Sequence, residues 1–352
     1  VRDPRCLAFV QPSRKRSRPP RRARVLRAGA RDGGHEGVGV TGYQRLATLA
    51  TRVHDHQTAR LAIREGLRYA DAIEQSHCRQ IMATTSAFLA WTAGEWDAAD
   101  ELSRREVVDR GCRLGSLGAL DVLGLVALGR GRFDEARRWF QESLEAGRQA
   151  GEPGLILSPL WGLAELELVA DRGGAAAEHC EEALALAARV GERPLFASFV
   201  TTGVRARLAS HRPDEAARWL ARTEAHLEGW EELAGAGLDH ARGLILLASG
   251  SLTAARESLE AAVRGWSAKE RTWEGLWARL DLAQCLIRSN RQADAAAILG
   301  EVRVTAEGLR AAPILARADE LARAGRGRGV EDEPWRPLTV REFEVARLIA
   351  EG

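Results

Sequence analysis

The sequence predicts an all-α protein: an α-solenoid of about seven helical hairpins, followed by a linker and one further helix. Three observations carry this. Seven alanines, Ala59, Ala99, Ala136, Ala176, Ala216, Ala255 and Ala295, recur at spacings of 37 to 40 residues. A small or apolar residue stands twelve positions before each of them, with a turn residue usually in the spacer. Apolar residues around each alanine follow the helical period, which places them on one face of a helix.

Residues 1–40 precede the array. They hold eleven Arg/Lys and three Asp/Glu, a net +8, which leaves −6 on residues 41–352. The run Arg14-Lys15-Arg16-Ser17-Arg18-Pro19-Pro20-Arg21-Arg22-Ala23-Arg24 has no apolar periodicity, so this segment is expected to be a disordered basic tail. The alternative is a basic arm on nucleic acid. The mildly acidic body has no charge-based case for such binding.

The array is expected over residues 41–324. Its clearest unit runs from Asp121 to Gly147. Val122, Leu125, Val126 and Leu128 give the first helix a face, Arg130-Gly131-Arg132 make the turn, and Phe133, Ala136, Phe140 and Leu144 stripe the second. Gly124 and Ala136 are read as the closest crossing of the two helices. Ala164 with Ala176, Gly243 with Ala255, and Ala283 with Ala295 repeat the pair, while Val204 with Ala216 is expected to be looser. Trp96, Phe133 and Leu252 are expected to fill the space around their crossings. A last helix, about Ala311 to Ala324, covers the end of the array. Gly325 to Pro337 reads as a Gly/Pro linker.

These features resemble the tetratricopeptide repeat, with its small residue in the first helix and its Gly-x-aromatic-x-x-Ala start of the second. The spacing exceeds that repeat's 34 residues, so HEAT-type repeats of 40–47 residues remain an alternative. The resemblance implies that positions fifteen and eleven before each anchor alanine face a concave groove. Those positions select Asp121, Trp161, Glu165, Arg205, His240 and Gln284 as candidate contacts for a protein or small-molecule effector. Trp161, a large aromatic, is the most suitable anchor among them.

Residues 338–352 are expected to form a capped amphipathic helix. Thr339 can serve as N-cap with Glu342 reaching back to close a capping box. Phe343, Val345, Ala346, Leu348, Ile349 and Ala350 supply the apolar stripe, and Gly352 suits the C-terminus. Leu338, Thr339, Arg341, Glu342, Glu344, Val345, Leu348, Ala350 and Gly352 resemble the opening helix of a LuxR-type helix-turn-helix domain. Val340 and Ala346 depart from its usual residues. The resemblance implies a bacterial transcription regulator, cut within its DNA-binding domain, that contacts DNA through the full-length protein. Its recognition helix would follow Gly352, and an ATPase module would stand ahead of Val1 or be lacking. The alternative is a protein–protein interaction scaffold with no DNA role.

No catalytic constellation is found. Lys15 and Lys269, the only lysines, do not follow a phosphate-binding glycine loop, and no G-x-S-x-G or H-E-x-x-H occurs. His54-Asp55-His56 reads as a solvated turn rather than a metal site, since no further ligand is near. The tryptophans, Trp91, Trp96, Trp139 and Trp219 among them, recur at helical spacing and read as core. Cys180 and Cys285 read as core filler, and five scattered cysteines fit a reducing compartment. No apolar run approaches a membrane span. The expectation is a cytoplasmic binding protein with no cofactor, no metal and no enzymatic activity.

Overall fold

A computed structural model describes residues 36–108 and 115–327. Among them the chain is entirely helical, with 15 α-helices, one 3-10 turn and no strand. Seven hairpins pair α1 (Glu36–Arg52) with α2 (His56–Ala72), α3 (Ser76–Thr92) with α4 (Trp96–Val108), and α5 (Leu117–Gly129) with α6 (Phe133–Ala150). They continue with α7 (Pro153–Val169) and α8 (Gly173–Val190), α9 (Phe199–Ala209) and α10 (Pro213–His226), α11 (Glu231–Ser249) and α12 (Leu252–Ala268), and α13 (Thr272–Arg288) and α14 (Gln292–Leu309). The last helix, α15 (Ala312–Gly327), packs on α13 and α14 and touches α5.

Every hairpin turns in the same way. The residue five before each anchor alanine is left-handed: His54, Gly94, Gly131, Asp171, His211, Gly250 and Asn290. Its N–H bonds three residues back, and the next residue's N–H bonds five residues back, as in Gly131 to Leu128 at 3.0 Å and Arg132 to Ala127 at 2.8 Å. This pairing recurs at all seven turns and satisfies carbonyls that the ending helix would otherwise leave open. Glycine supplies the left-handed backbone three times, and Asn, Asp or His, the next most tolerant types or enriched there, the other four. Two residues after the left-handed one the second helix starts, and each anchor alanine N–H makes its first-turn bond, as in Ala136 to Arg132 at 3.0 Å.

All seven anchors are buried, none more than 1% exposed. The closest approach around Gly124, however, is not to Ala136 but to Phe140: a Cβ on Gly124 would lie 2.5 Å from its ring. The same edge of that ring also meets Gly162 of the next hairpin, where a Cβ would lie at 2.3 Å. One aromatic thus fills the gap between two hairpins because both neighbours lack a side chain. The pair expected to be looser is enclosed. Val204 and Ala216 are fully buried, and Gly203, one residue earlier, receives the Trp219 ring.

Several expectations are corrected. Trp96 is buried, but Phe133 is 37% exposed and Leu252 only partly covered. All three open their helix, where a side chain leans back over the turn; only the large indole of Trp96 reaches onward, to Gly129 and Trp273. Trp139, read as core, is half-buried and bonds Glu135 at the surface. The first helix begins at Glu36, ahead of the expected start at 41, and α15 runs to Gly327, past the expected end at 324. Glycine weakens a helix by about 1 kcal/mol without forbidding it, so Gly325 and Gly327 do not stop one already formed. Residues 1–35 and 328–352 lie outside the described residues. Most of the basic tail and linker falls there, with all the helix-turn-helix candidates: Thr339, Arg341, Glu342, Glu344, Val345, Leu348 and Gly352.

A core continuous from α3 to α15 holds the array together, beside a smaller one under α1 and α2. Cys180 and Cys285 are fully buried in the first of these. No described helix is long and apolar enough to cross a membrane.

Candidate binding face

The hairpins curl until the array meets itself. Turns of the first three hairpins abut the loops that enter the last hairpin and α15. His56 Nδ1 lies 3.2 Å from Glu270 Oε2, and Arg60 Nη2 donates to the same oxygen at 2.5 Å. Gly94 sits against Thr272 and Leu309, Asp97 pairs with Arg310 as well as Arg130, and Gly131 meets Ala312. Arg52 pairs with Glu192 at 3.7 Å. The turn at His54–His56, expected to be solvated, is therefore a packed contact. His56 is 5% exposed, and burial holds the His54 imidazole down to about 2, with Arg271, Lys269 and His56 adding to the effect. No group of metal-binding side chains occurs among the described residues.

Inside this ring the first helices of the hairpins face one another, and their polar side chains form a chain of bonds. Trp161 Nε1 donates to Thr202 Oγ1 at 3.1 Å, and Thr202 donates to Glu165 Oε1 at 2.7 Å. Trp273 Nε1 donates to Glu165 Oε2 at 2.8 Å. Burial pushes the Glu165 carboxyl above its ordinary range, against the pull of those two donors. Trp273 packs edge-on against Trp277, and Arg205 lies over the Trp277 ring at 4.7 Å.

Arg205 pairs with Asp281, which also accepts from His240 Nε2 at 2.8 Å. Burial keeps His240 neutral, lowering it despite the Asp281 bond. A neutral ring protonated at Nε2 leaves Nδ1 as acceptor for Trp266 Nε1 at 3.3 Å, so one tautomer satisfies both contacts. Asp281 stays below the usual carboxylate range: burial opposes this, but Arg205 and His240 outweigh it. Arg271 stands at the junction of seam and ring interior. It bonds Glu274 Oε1 at 2.9 Å and lies over Phe88 and Trp161.

Four of the six candidate contacts, Trp161, Glu165, Arg205 and His240, thus fall in one network. Asp121 and Gln284 do not. Asp121 is buried beside Ser143 and Ser158, and desolvation pushes its carboxyl up to about 7 against their hydrogen bonds. Gln284 accepts from Arg317 of α15 at 3.0 Å, under the terminal helix. Sequence reasoning missed Thr202, Trp273, Trp277 and Asp281. The signal existed: Trp273, Trp277, Asp281 and Gln284 stand at i, i+4, i+8 and i+11, one helical face extended back from the position chosen on α13. Thr202 and Asp281 hold the same register, fourteen before their anchors.

The hairpins, their shared turn and their inward-facing first helices define a tetratricopeptide-like helical-repeat protein. The chain is similar in fold to a Rap protein, seen in a crystal structure complexed with Competence and Sporulation Factor. That likeness has a TM-score of 0.51 at 11% identity and covers 82% of this chain and 99% of the other. BtubC (BKLC) from P. vanneervenii matches with a TM-score of 0.41 at 17% identity, over 72% and 97% of the two chains. No family model matches the sequence, and no curated protein does.

Proposed function

We propose that this protein is an interaction scaffold that binds a polypeptide segment on the inner face of its solenoid, and that it catalyses no reaction. The observation that carries the reading is Arg205 laid over Trp277. Its side chain keeps 17% exposure at the edge of an otherwise buried aromatic network, which offers a cation and a ring together to an incoming chain. Trp161, Glu165 and His240 brace that pair rather than stand as loose surface contacts. The Rap protein of similar fold, complexed with Competence and Sporulation Factor, supports a partner-binding use of such a scaffold. The test is site-specific photo-cross-linking of peptides selected from a displayed random library. A photoreactive residue at 277 should capture the selected peptides, and one at the exposed Val304 should not. Capture at 304 alone would refute the reading.

A second reading is supported by Thr339, Arg341, Glu342, Glu344, Val345, Leu348 and Gly352. On their resemblance to a LuxR-type opening helix, the solenoid is the effector-binding arm of a DNA-binding transcription regulator. Base-reading side chains in such a domain lie on a later helix. Residues 1–352 should then give no sequence-specific mobility shift, and a chain extended through the next two helices should. Specific, salt-resistant binding by residues 1–352, or none by the extended chain, would count against it.

A further inference from the structure

We propose that the seam where the array meets itself is a latch. Glu270, gripped by His56 and Arg60, holds the ring closed, and a partner segment reaches the inner face when that grip releases. This rests on the reading of the inner face as the binding surface.

Three features weaken the seam. Two of its ion pairs are solvated: Arg60 and Glu270 are 49% and 47% exposed, and Arg310 and Asp97 62% and 76%. Pairs this exposed add little to stability, whereas the anchor alanines are fully enclosed. The seam is also incompletely packed. A cleft of about 240 Å3 opens between its two sides, lined by Gly94, Trp96 and Asp97 on one and Gly308 and Leu309 on the other.

Polar atoms near the seam and in the ring interior are also buried without a protein partner, as are Ser103 Oγ and Asp121 Oδ1 elsewhere in the array. His56 Nε2, Trp91 Nε1 and Glu274 Oε2 are such atoms. Each belongs to a residue engaged at the seam or the ring interior: His56 on Glu270, Trp91 against Trp161, and Glu274 on Arg271. A donor or acceptor desolvated without a partner disfavours the state that buries it. Weak charged grips, an open cleft and unpartnered polar atoms oppose the buried contact of Trp96 with Trp273 that closure also makes, and so bring the closed and open forms closer in free energy. Arg271, stacked over Phe88 and Trp161, is the side chain that opening would withdraw from the aromatic face.

The test compares Glu270→Arg with the charge-swapped Arg60→Glu/Glu270→Arg pair, with no partner present. The single variant should keep wild-type helicity, enlarge the radius of gyration by X-ray scattering, and speed hydrogen exchange in α3 and α13 by about tenfold. The swap should return both toward wild type. An unchanged radius and exchange in the single variant, or loss of helicity in both variants, would overturn the latch. With a selected peptide as probe, the single variant should bind about fivefold tighter, as expected when more of the population is competent. Opening without a gain in affinity would overturn the gating. Failure of the inner-face reading would show separately, as peptide binding indifferent to Arg205.

Discussion

Trp273 donates its indole N–H to Glu165 Oε2 at 2.8 Å, joining two residues 108 positions apart in the chain. The bond ties α13 to α7 across the inside of the ring and is sheltered from water, with Trp273 2% and Glu165 7% exposed. Trp273→Phe leaves that carboxylate oxygen buried without its donor. The expected loss is about 1–3 kcal/mol, read as a lower urea midpoint. Glu165→Gln, whose amide oxygen can still accept, should cost less. A Trp273→Phe variant as stable as the parent would show the bond to be idle.

The buried Phe140 ring lies close to both Gly124 and Gly162, so a Cβ at either position crowds it. Gly162→Ala should therefore cost about 1–3 kcal/mol through overpacking. Gly174, near the start of α8, has open space where a Cβ would go. Gly174→Ala should be neutral or stabilising by up to about 1 kcal/mol. Equal effects of the two substitutions in urea denaturation would contradict the packing described.

Asp121 and His54 give opposite slopes of stability with pH. Asp121 rises from 3.8 to about 7 on folding, so the folded state keeps a proton that the unfolded chain releases. Its cost appears as pH climbs through that interval and is full above 7. Asp121→Asn should therefore stabilise by roughly 1–3 kcal/mol at pH 8 and by little at pH 4. His54 falls from 6.5 to about 2, so its neutral form favours folding fully above 6.5, and that stability is lost as pH drops below it. His54→Asn should flatten the acid side of the stability curve between pH 6.5 and 5. Denaturation midpoints across pH for the two variants and the parent check both signs.

The hairpins were legible because their determinants are local. An alanine, the left-handed residue five before it and the small or apolar residue twelve before it lie within one repeat, and the pattern recurs seven times. The seam was not legible. His56 and Glu270 meet across 214 residues only because small rotations accumulate from hairpin to hairpin, and no short window of sequence encodes their sum. The candidate face was half legible for the same reason. Repeat register selected Trp161, Glu165, Arg205 and His240, but not that Trp273 would come round to Glu165. It also pointed to Asp121 and Gln284, which neighbouring serines and α15 occupy.

The inner face as binding surface is tested most directly by calorimetric titration of one selected peptide into the parent, Arg205→Ala and Val304→Ser. Arg205 stacks on Trp277 and pairs with Asp281, while Val304 is 73% exposed on α14. Arg205→Ala should weaken binding at least tenfold, about 1.4 kcal/mol, with Val304→Ser unchanged. Full affinity in Arg205→Ala, with the loss falling on Val304→Ser instead, would place the partner elsewhere and contradict the account.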